Sequence, residues 1–456
     1  MLIFIFRFPN MSSFSSGDRI PLMTGGYAKV VRDAPLGSGG QGEVYLVEYK
    51  GTQHALKWYT SLKMRTSVEF KENIRKNVYD GAPSERFAWP LDVTEDVNGS
   101  FGYVMRLLPK DNEEFSDFLR TYRITKTEPP RRVPVKFASF PCLIRAAIQV
   151  VDSFAALHRV GKSYQDLNDG GISMDMSTGD IIICDCDNIA PDRTNFGIAG
   201  KQGYMAPEIV LGTKTPDVYS DRFSLAVILF KLFFRDDPFW GAKVCKCCNL
   251  TDYNYRKYYG EEPVFIYHPT DSSNRPVEGI HDNVIRMWGR YPQYLKDLFT
   301  RAFVDGLKET SKRPIEIEWM SALIRLRSES FMCSCGGFSF VSDDAEKSGE
   351  CTCPKCGRSY PVLMLGKTRL PLAKDAVAYS CQTRFGSDDF EKITLKVVEN
   401  RLKQGLMGLK NLDDCDWEVF LDGTRKSVQP DKGTEIVPGM RIEFDRKTSG
   451  TVLRRN

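Results

Sequence analysis

Four glycines crowd the run Gly37-Ser-Gly39-Gly40-Gln-Gly42-Glu-Val44, and Lys57 follows in the run His-Ala55-Leu-Lys57. Without Cβ atoms, such a segment can lay its backbone N–H groups against phosphates. A lysine close by adds a cation for the same anion. Asp166, Asp185 and Asp187 offer carboxylates further along, in Tyr-Gln-Asp-Leu-Asn and Cys-Asp-Cys-Asp. Carboxylates suit magnesium, which prefers hard oxygen donors, and one of them can take or orient a hydroxyl proton. Cys333-Ser-Cys335 and Cys353-Pro-Lys-Cys356 form a third group, with Cys351 as a spare beside the second pair. Paired thiolates at this spacing make two tight knuckles that face one zinc ion. Four thiolates leave no open position, so that ion is expected to be structural.

These residues need elements to hold them. Val44–Tyr49 and His54–Trp58 read as strands. Dinucleotide-binding folds share the glycine spacing, but they open a helix after it, and no helix pattern begins there. Ile181–Cys184 reads as a buried strand that delivers Asp185. Residues 363–456 alternate apolar and polar positions in short runs. Asp422-Gly423 and Pro438-Gly439 mark turns between them, and a small β-sandwich is expected.

The motifs fall in a familiar order. After the glycines and Lys57 come Tyr164-Gln165-Asp166-Leu167-Asn168, Asp185-Cys186-Asp187, Gly203-Tyr-Met-Ala-Pro-Glu208, Asp221 at the head of an apolar helix, and Arg313. Over about residues 25–327 the chain resembles the protein kinase superfamily. It is most similar to bacterial kinases carrying the phrases Tyr-Gln-Asp-Leu-Asn-Asp-Gly and Gly-Tyr-Met-Ala-Pro-Glu. The resemblance implies that Gly37, Gly39, Gly40, Gly42, Val44, Ala55, Lys57, Met105 and Leu108 surround ATP. It implies that Asp166 handles the acceptor hydroxyl and that Asp185 holds magnesium, or manganese in its place. It also implies a helix glutamate as the anion for Lys57. Glu69 and Glu72 are the candidates, and Glu72 is preferred because Phe70 and Ile74 flank it. Glu208 and Arg313 are expected to form a buried ion pair, and Asp221 to brace the catalytic loop. A protein substrate is implied. So are a von Willebrand factor A protein and a metal-dependent phosphatase as partners, in bacterial stress or defence signalling.

Three departures from the kinase pattern bear on catalysis. Gly171 stands where an asparagine holds a second metal. Asn168 stands where a lysine is usual. Asp187 replaces a glycine, and it either replaces the lost metal ligand or caps the turn. A nucleotide-binding pseudokinase scaffold is therefore the alternative to a kinase of low activity. Gln165 replaces an arginine, and residues 188–208 contain Thr194 and Tyr204 but no serine. Switching by loop phosphorylation is not expected.

Composition fits this reading. The 456 residues are 42% hydrophobic and 27% charged, with a net charge of +4, which suits cored domains rather than a nucleic-acid or membrane binder. The thirteen cysteines cluster instead of forming a disulfide framework, so a reducing cytoplasm is expected. The apolar opening is too short for a signal peptide, and translation starts at Met1 or Met11. The expected architecture is α+β. A two-lobed kinase-like fold, with a small lobe at 25–109 and a large lobe at 110–327, precedes a zinc ribbon at 328–362 and an all-β domain at 363–456.

Overall fold

The computed structural model describes residues 13–125, 127–198, 200–400 and 405–455. The two candidate start sites, Met1 and Met11, lie outside the described residues. Packing divides the chain into two units. One holds the described residues up to Asn283 together with Thr300–Glu316; the other holds Val284–Phe299 and the chain from Ile317 onward.

The first unit opens with a sheet of seven strands: β1 (Arg19–Pro21), β2 (Tyr27–Val30), β3 (Gly37–Ser38), β4 (Gly42–Tyr49), β5 (Thr52–Tyr59), β6 (Pro90–Val93) and β7 (Gly102–Arg106). Their order is β1-β2-β4-β5-β7-β6, with β3 paired to β4. The strand expected at Val44–Tyr49 lies within β4, where Tyr45, Val47 and Tyr49 are buried and Glu48 is exposed. Strand β5 is buried on both faces from Ala55 to Tyr59. One face packs with Phe14, Tyr45 and Val104. The other meets a cluster of Tyr59, Phe70, Ile74, Phe101 and Tyr103.

Two helices follow β5, the short α1 (Leu62–Arg65) and the longer α2 (Val68–Asp80). Ser67 caps α2 by accepting the Phe70 N–H at 3.2 Å, which satisfies one of the free donors of the first turn. The face that α2 buries is Phe70, Asn73, Ile74 and Asn77. That spacing corrects the expectation for Glu72. It lies on the exposed side and pairs with Arg75 at 2.7 Å. Residue 73, not 72, shares the inward face with 70, 74 and 77.

The rest of this unit is mainly helical. The helix Phe140–Arg159 is apolar and long enough to cross a membrane, with mean hydropathy 1.5, but it buries Ile144, Val151, Phe154 and Leu157 within the protein. The helix Val218–Phe234 starts with a reciprocal cap between Asp217 and Ser220. Between the two helices, Ile172–Met174 and Ile181–Ile183 form an antiparallel hairpin. Ile183 also accepts the Ala88 N–H at 2.8 Å, which ties the hairpin to the segment leading into β6.

In the second unit the strand Ser359–Leu365 pairs with Glu350–Thr352, Thr368–Pro371 and Ser449–Val452. The expected boundary at 362/363 thus falls inside one strand. A seven-stranded and a four-stranded sheet lie around a core that includes Leu363, Leu395, Trp417 and Ile442. The expected boundary at 327/328 also differs from the packing. The Trp319 ring packs against Phe299 in a tilted contact, with ring centroids 5.0 Å apart, and Glu329 forms a buried pair with Arg369 at 2.9 Å.

Candidate functional site

A cleft of about 780 Å³ lies in the first unit. Its lining includes Gly37, Gly39, Gly40, Gly42, Val44, Ala55, Lys57, Met105, Leu108, Asp166, Asp185 and Asn188. Strands β3 and β4 pair Gly37 with Val44, and Gly39 donates to Gly42 O at 2.9 Å, so the glycine run is a tight hairpin over the cleft. The glycines serve different needs. A Cβ on Gly42 would sit 2.0 Å from Trp58 O, so packing alone requires glycine there. Nothing lies within 4 Å of the Cβ positions of Gly37, Gly39 and Gly40. Their open backbone is what a phosphate-bearing ligand needs for close approach. Val44, Ala55 and Met105 bring apolar surface to the same cleft from three neighbouring strands, since Ala55 lies opposite Met105 in the β5–β7 ladder.

Lys57 is 6% exposed. Its Nζ lies 2.8 Å from Asp187 Oδ2, 3.2 Å from Asp185 Oδ1 and 2.9 Å from Gln41 Oε1. Burial disfavours the ammonium, but the Asp187 and Asp185 carboxylates outweigh it, and the lysine is held well above its ordinary range. Gln41, in the glycine hairpin, had no motif to point to it.

Asp187 is fully enclosed. Oδ1 accepts from Lys57 Nζ at 3.0 Å and from the Tyr103 hydroxyl at 3.0 Å, while Oδ2 accepts from the Tyr59 hydroxyl at 2.6 Å. Burial pushes this carboxyl up and Lys57 pulls it further down, below the usual carboxylate range. With its lone pairs directed at these donors, Asp187 has none for a metal, which corrects the magnesium role expected for it. Nor do these bonds cap a turn, because the Asp187 oxygens accept from the Lys57, Tyr59 and Tyr103 side chains and from no backbone N–H of the 3₁₀ turn Cys186–Asn188.

Asp185 differs. Its side chain is 48% exposed, and its backbone is left-handed at φ 46°, which turns the chain into Cys186–Asn188. Asp166 is half-buried; burial raises its carboxyl, and Asn168 Nδ2 donates to its Oδ1 at 3.0 Å. Asn188 is 3% exposed, and its Oδ1 has no hydrogen-bond partner. An orphaned amide oxygen on the wall of a polar cleft is a ready acceptor for a bound group, and no sequence motif marked it.

The loop carrying Asp166 is braced from below. Asp221 accepts the backbone N–H of Tyr164 at 2.6 Å and of Gln165 at 3.1 Å. His158 bridges Asp221 at 3.1 Å and Glu316 at 2.9 Å. Arg313, with no exposed side chain, makes two bonds to Glu208 at 2.7 and 2.8 Å. Gly171 is fixed by its neighbour: a Cβ there would lie 2.7 Å from the Tyr164 hydroxyl, which donates to Cys184 O at 2.6 Å.

In the second unit the Sγ atoms of Cys333, Cys335, Cys353 and Cys356 lie within 4.8 Å of one another. Two of the separations are 3.6 Å (Cys333–Cys356) and 3.7 Å (Cys335–Cys353). A tetrahedron of zinc–sulfur bonds has edges of about 3.8 Å, so the thiols are spaced for one zinc. Cys351 is outside this group; it is buried in its strand, and burial pushes its thiol up to about 12. Cys245, Cys247 and Cys248 are free thiols, and among the described residues they join no such group.

The sequence model of the protein kinase domain matches residues 132–278, which include Asp166, Asp185 and Glu208. The serine/threonine-protein kinase sck2 of Schizosaccharomyces pombe is 26% identical over 214 residues, 45% of this chain and 31% of its own length. The dual specificity protein kinase shkB of Dictyostelium discoideum is 25% identical over 275 residues, 57% of this chain and 37% of its own length. The chain thus spans about a third of these curated relatives. The crystal structure of the Mycobacterium tuberculosis PknI kinase domain is similar at 18% identity and a TM-score of 0.42, covering 68% of this chain and 98% of that one. It is residues 132–278 of this chain that match the protein kinase domain.

Proposed function

We propose that the chain is an ATP-dependent protein serine/threonine kinase of low activity. The carrying observation is the convergence of Lys57, Asp166 and Asp185 on one cleft beneath a glycine hairpin. The open backbone of Gly37, Gly39 and Gly40 and the orphaned Asn188 oxygen fit a polyphosphate with its metal. Bound ATP with magnesium, or manganese, supplies the transferable phosphoryl group. Lys57 neutralises phosphate oxygens, Asp185 presents a half-exposed carboxylate to the metal, and Asp166 receives or orients the proton of the acceptor hydroxyl. Met105, near the end of β7, and Leu108, just beyond it, border the base.

Low activity follows from what the site lacks. Gly171 brings no metal ligand, Asn168 brings no cation, and Asp187 is committed to Lys57. The same observation favours the second reading, a nucleotide-binding pseudokinase scaffold that docks partner proteins. Transfer of label from γ-labelled ATP by the purified protein separates the two. The kinase reading expects slow labelling of a protein substrate or of the chain itself, lost in Asp185→Asn. Nucleotide binding without labelling, in magnesium and in manganese alike, would support the scaffold.

The finer assignments rest on motif resemblance. They are a cytoplasmic role in bacterial stress or defence signalling, and a von Willebrand factor A protein and a metal-dependent phosphatase as partners. Structural zinc in the cysteine ribbon rests on the thiol spacing.

A further inference from the structure

We propose that Asp187 is the anion that positions Lys57, a task that needs no acid from helix α2, and that it is not a metal ligand. The inference deepens the nucleotide-site reading above and rests on it.

Lys57 is almost entirely buried, so its ammonium must be paired. The helix beside it offers no anion. Glu72 is turned outward to Arg75, and Glu69 is exposed. The polar inward positions of α2 are amides: Asn73 and Asn77 donate to Ile189 O at 2.8 and 2.9 Å. Asp187 fills the vacancy from the turn that follows the strand Ile181–Ile183. Its carboxylate takes Lys57 on both oxygens and is locked by Tyr59 of β5 and Tyr103 of β7. Both phenols are fully buried. A saturated, enclosed carboxylate of this kind is an anchor and not a ligand site.

The arrangement has a consequence for control. Asp187 is two residues from Asp185, and both belong to one tight turn. The lysine and the candidate magnesium ligand are therefore set in register by that turn. A shift of α2 breaks no bond to Lys57, and the two asparagine bonds to Ile189 hold α2 to the same segment. Regulation by swinging an acid-bearing helix toward the lysine is absent from this design.

Two measurements test the assignment. The first uses the nucleotide-free protein. A water-soluble N-hydroxysuccinimide ester is applied at one pH, and acylation of Lys57 is followed by mass spectrometry against exposed lysines as internal standards. Asp187→Asn is expected to raise Lys57 labelling several-fold, and Glu72→Gln to leave it unchanged. The reverse pattern overturns the proposal. The second is calorimetry of ATP binding, with magnesium and with chelator. Asp187→Asn is expected to weaken binding about tenfold or more in both conditions, the loss typical of one charged hydrogen bond. In the Lys57→Met background it is expected to cause no further loss. A loss that appears only with magnesium makes Asp187 a metal ligand, and a loss that persists without the lysine shows that Asp187 acts other than through Lys57; either result overturns the proposal.

If Asp187→Asn does not fold alone, the pair is read through stability. Lys57→Met leaves a buried carboxylate unpaired and lowers the melting temperature. Adding Asp187→Asn is expected to recover it, and adding Glu72→Gln is not. A wild-type protein that binds no nucleotide would defeat the kinase reading, and the labelling experiment would still decide the role of Asp187.

Discussion

Gly171 and Tyr164 behave as a pair. The tyrosine hydroxyl sits where a side chain at 171 would begin, 2.7 Å from the ideal Cβ, and it spends its proton on Cys184 O. Tyr164 is fully buried and cannot swing away cheaply. Gly171→Ala is therefore expected to cost about 1–3 kcal/mol, the usual range for overpacking. Tyr164→Phe should relieve most of that cost, because the next atoms lie at ordinary contact distance. Urea unfolding of the two single variants and the double variant checks this; additive costs would contradict the pairing. The same clash predicts that Gly171→Asn alone does not raise phosphotransfer. Only Tyr164→Phe/Gly171→Asn has room for a restored ligand, and single-turnover rates of the single and double variants would distinguish them.

The elements beneath the loop that carries Asp166 are joined by buried charge. His158 ends one long helix, Asp221 and Arg222 begin another, and Glu316 opens a third. Burial pulls the His158 imidazole down, but its bonds to Asp221 and Glu316 prevail and raise it from 6.5 to about 9. Burial pushes Glu316 up, yet His158 and Arg222 bring it from 4.5 down to about 2. The histidine contribution is thus complete below about pH 6.5 and is lost as pH rises through about 9. The glutamate contribution is complete above about pH 4.5 and is lost as pH falls through about 2. Stability from this shared network, on the order of 3 kcal/mol, should be greatest between those limits. Melting temperatures from pH 4 to 10 would show it, and His158→Gln should flatten the alkaline limb. An unchanged alkaline limb in that variant would count against the network. The bidentate Glu208–Arg313 pair is the other brace. Arg313→Ala leaves a carboxylate unpaired in a largely buried setting and is expected to cost about 3–5 kcal/mol in chemical denaturation.

At the scale of the molecule, the second unit has its own core and its own candidate metal centre. The spacing of Cys333, Cys335, Cys353 and Cys356 predicts one zinc per chain by elemental analysis. Cys353→Ser with Cys356→Ser should remove it and lower the stability of the ribbon, as followed by hydrogen exchange. Cys351→Ser should leave the zinc content at one, since its thiol lies outside the group. Zinc near zero in carefully reduced wild type would rule the site out. The strand Ser359–Leu365 belongs to the ribbon and to the larger sheet, so loss of zinc should also loosen the pairing with Ser449–Val452.

The sequence by itself determined the local chemistry. Glycines at 37, 39, 40 and 42, a lysine at the end of a strand, carboxylates at 166 and 185 and two cysteine pairs depend on residue type and short spacing, which a linear reading captures. The strands at Val44–Tyr49 and His54–Trp58 and the apolar helix headed by Asp221 were legible for the same reason. What only the tertiary structure decided were contacts between residues far apart in the chain. Glu72 and Asp187 were equally acidic in sequence; the rotation of α2 sent one outward, while Tyr59, Tyr103 and Lys57 enclosed the other. Gln41 and Asn188 carry no motif, and they matter only because the fold brings them to the cleft. The boundaries at 327/328 and 362/363 were misplaced because composition shifts at motif edges. Packing follows other partners: Trp319 sits on Phe299, Glu329 pairs with Arg369, and one strand serves two neighbours. Periodicity can say which face of an element is apolar, but only the assembled elements say what that face meets.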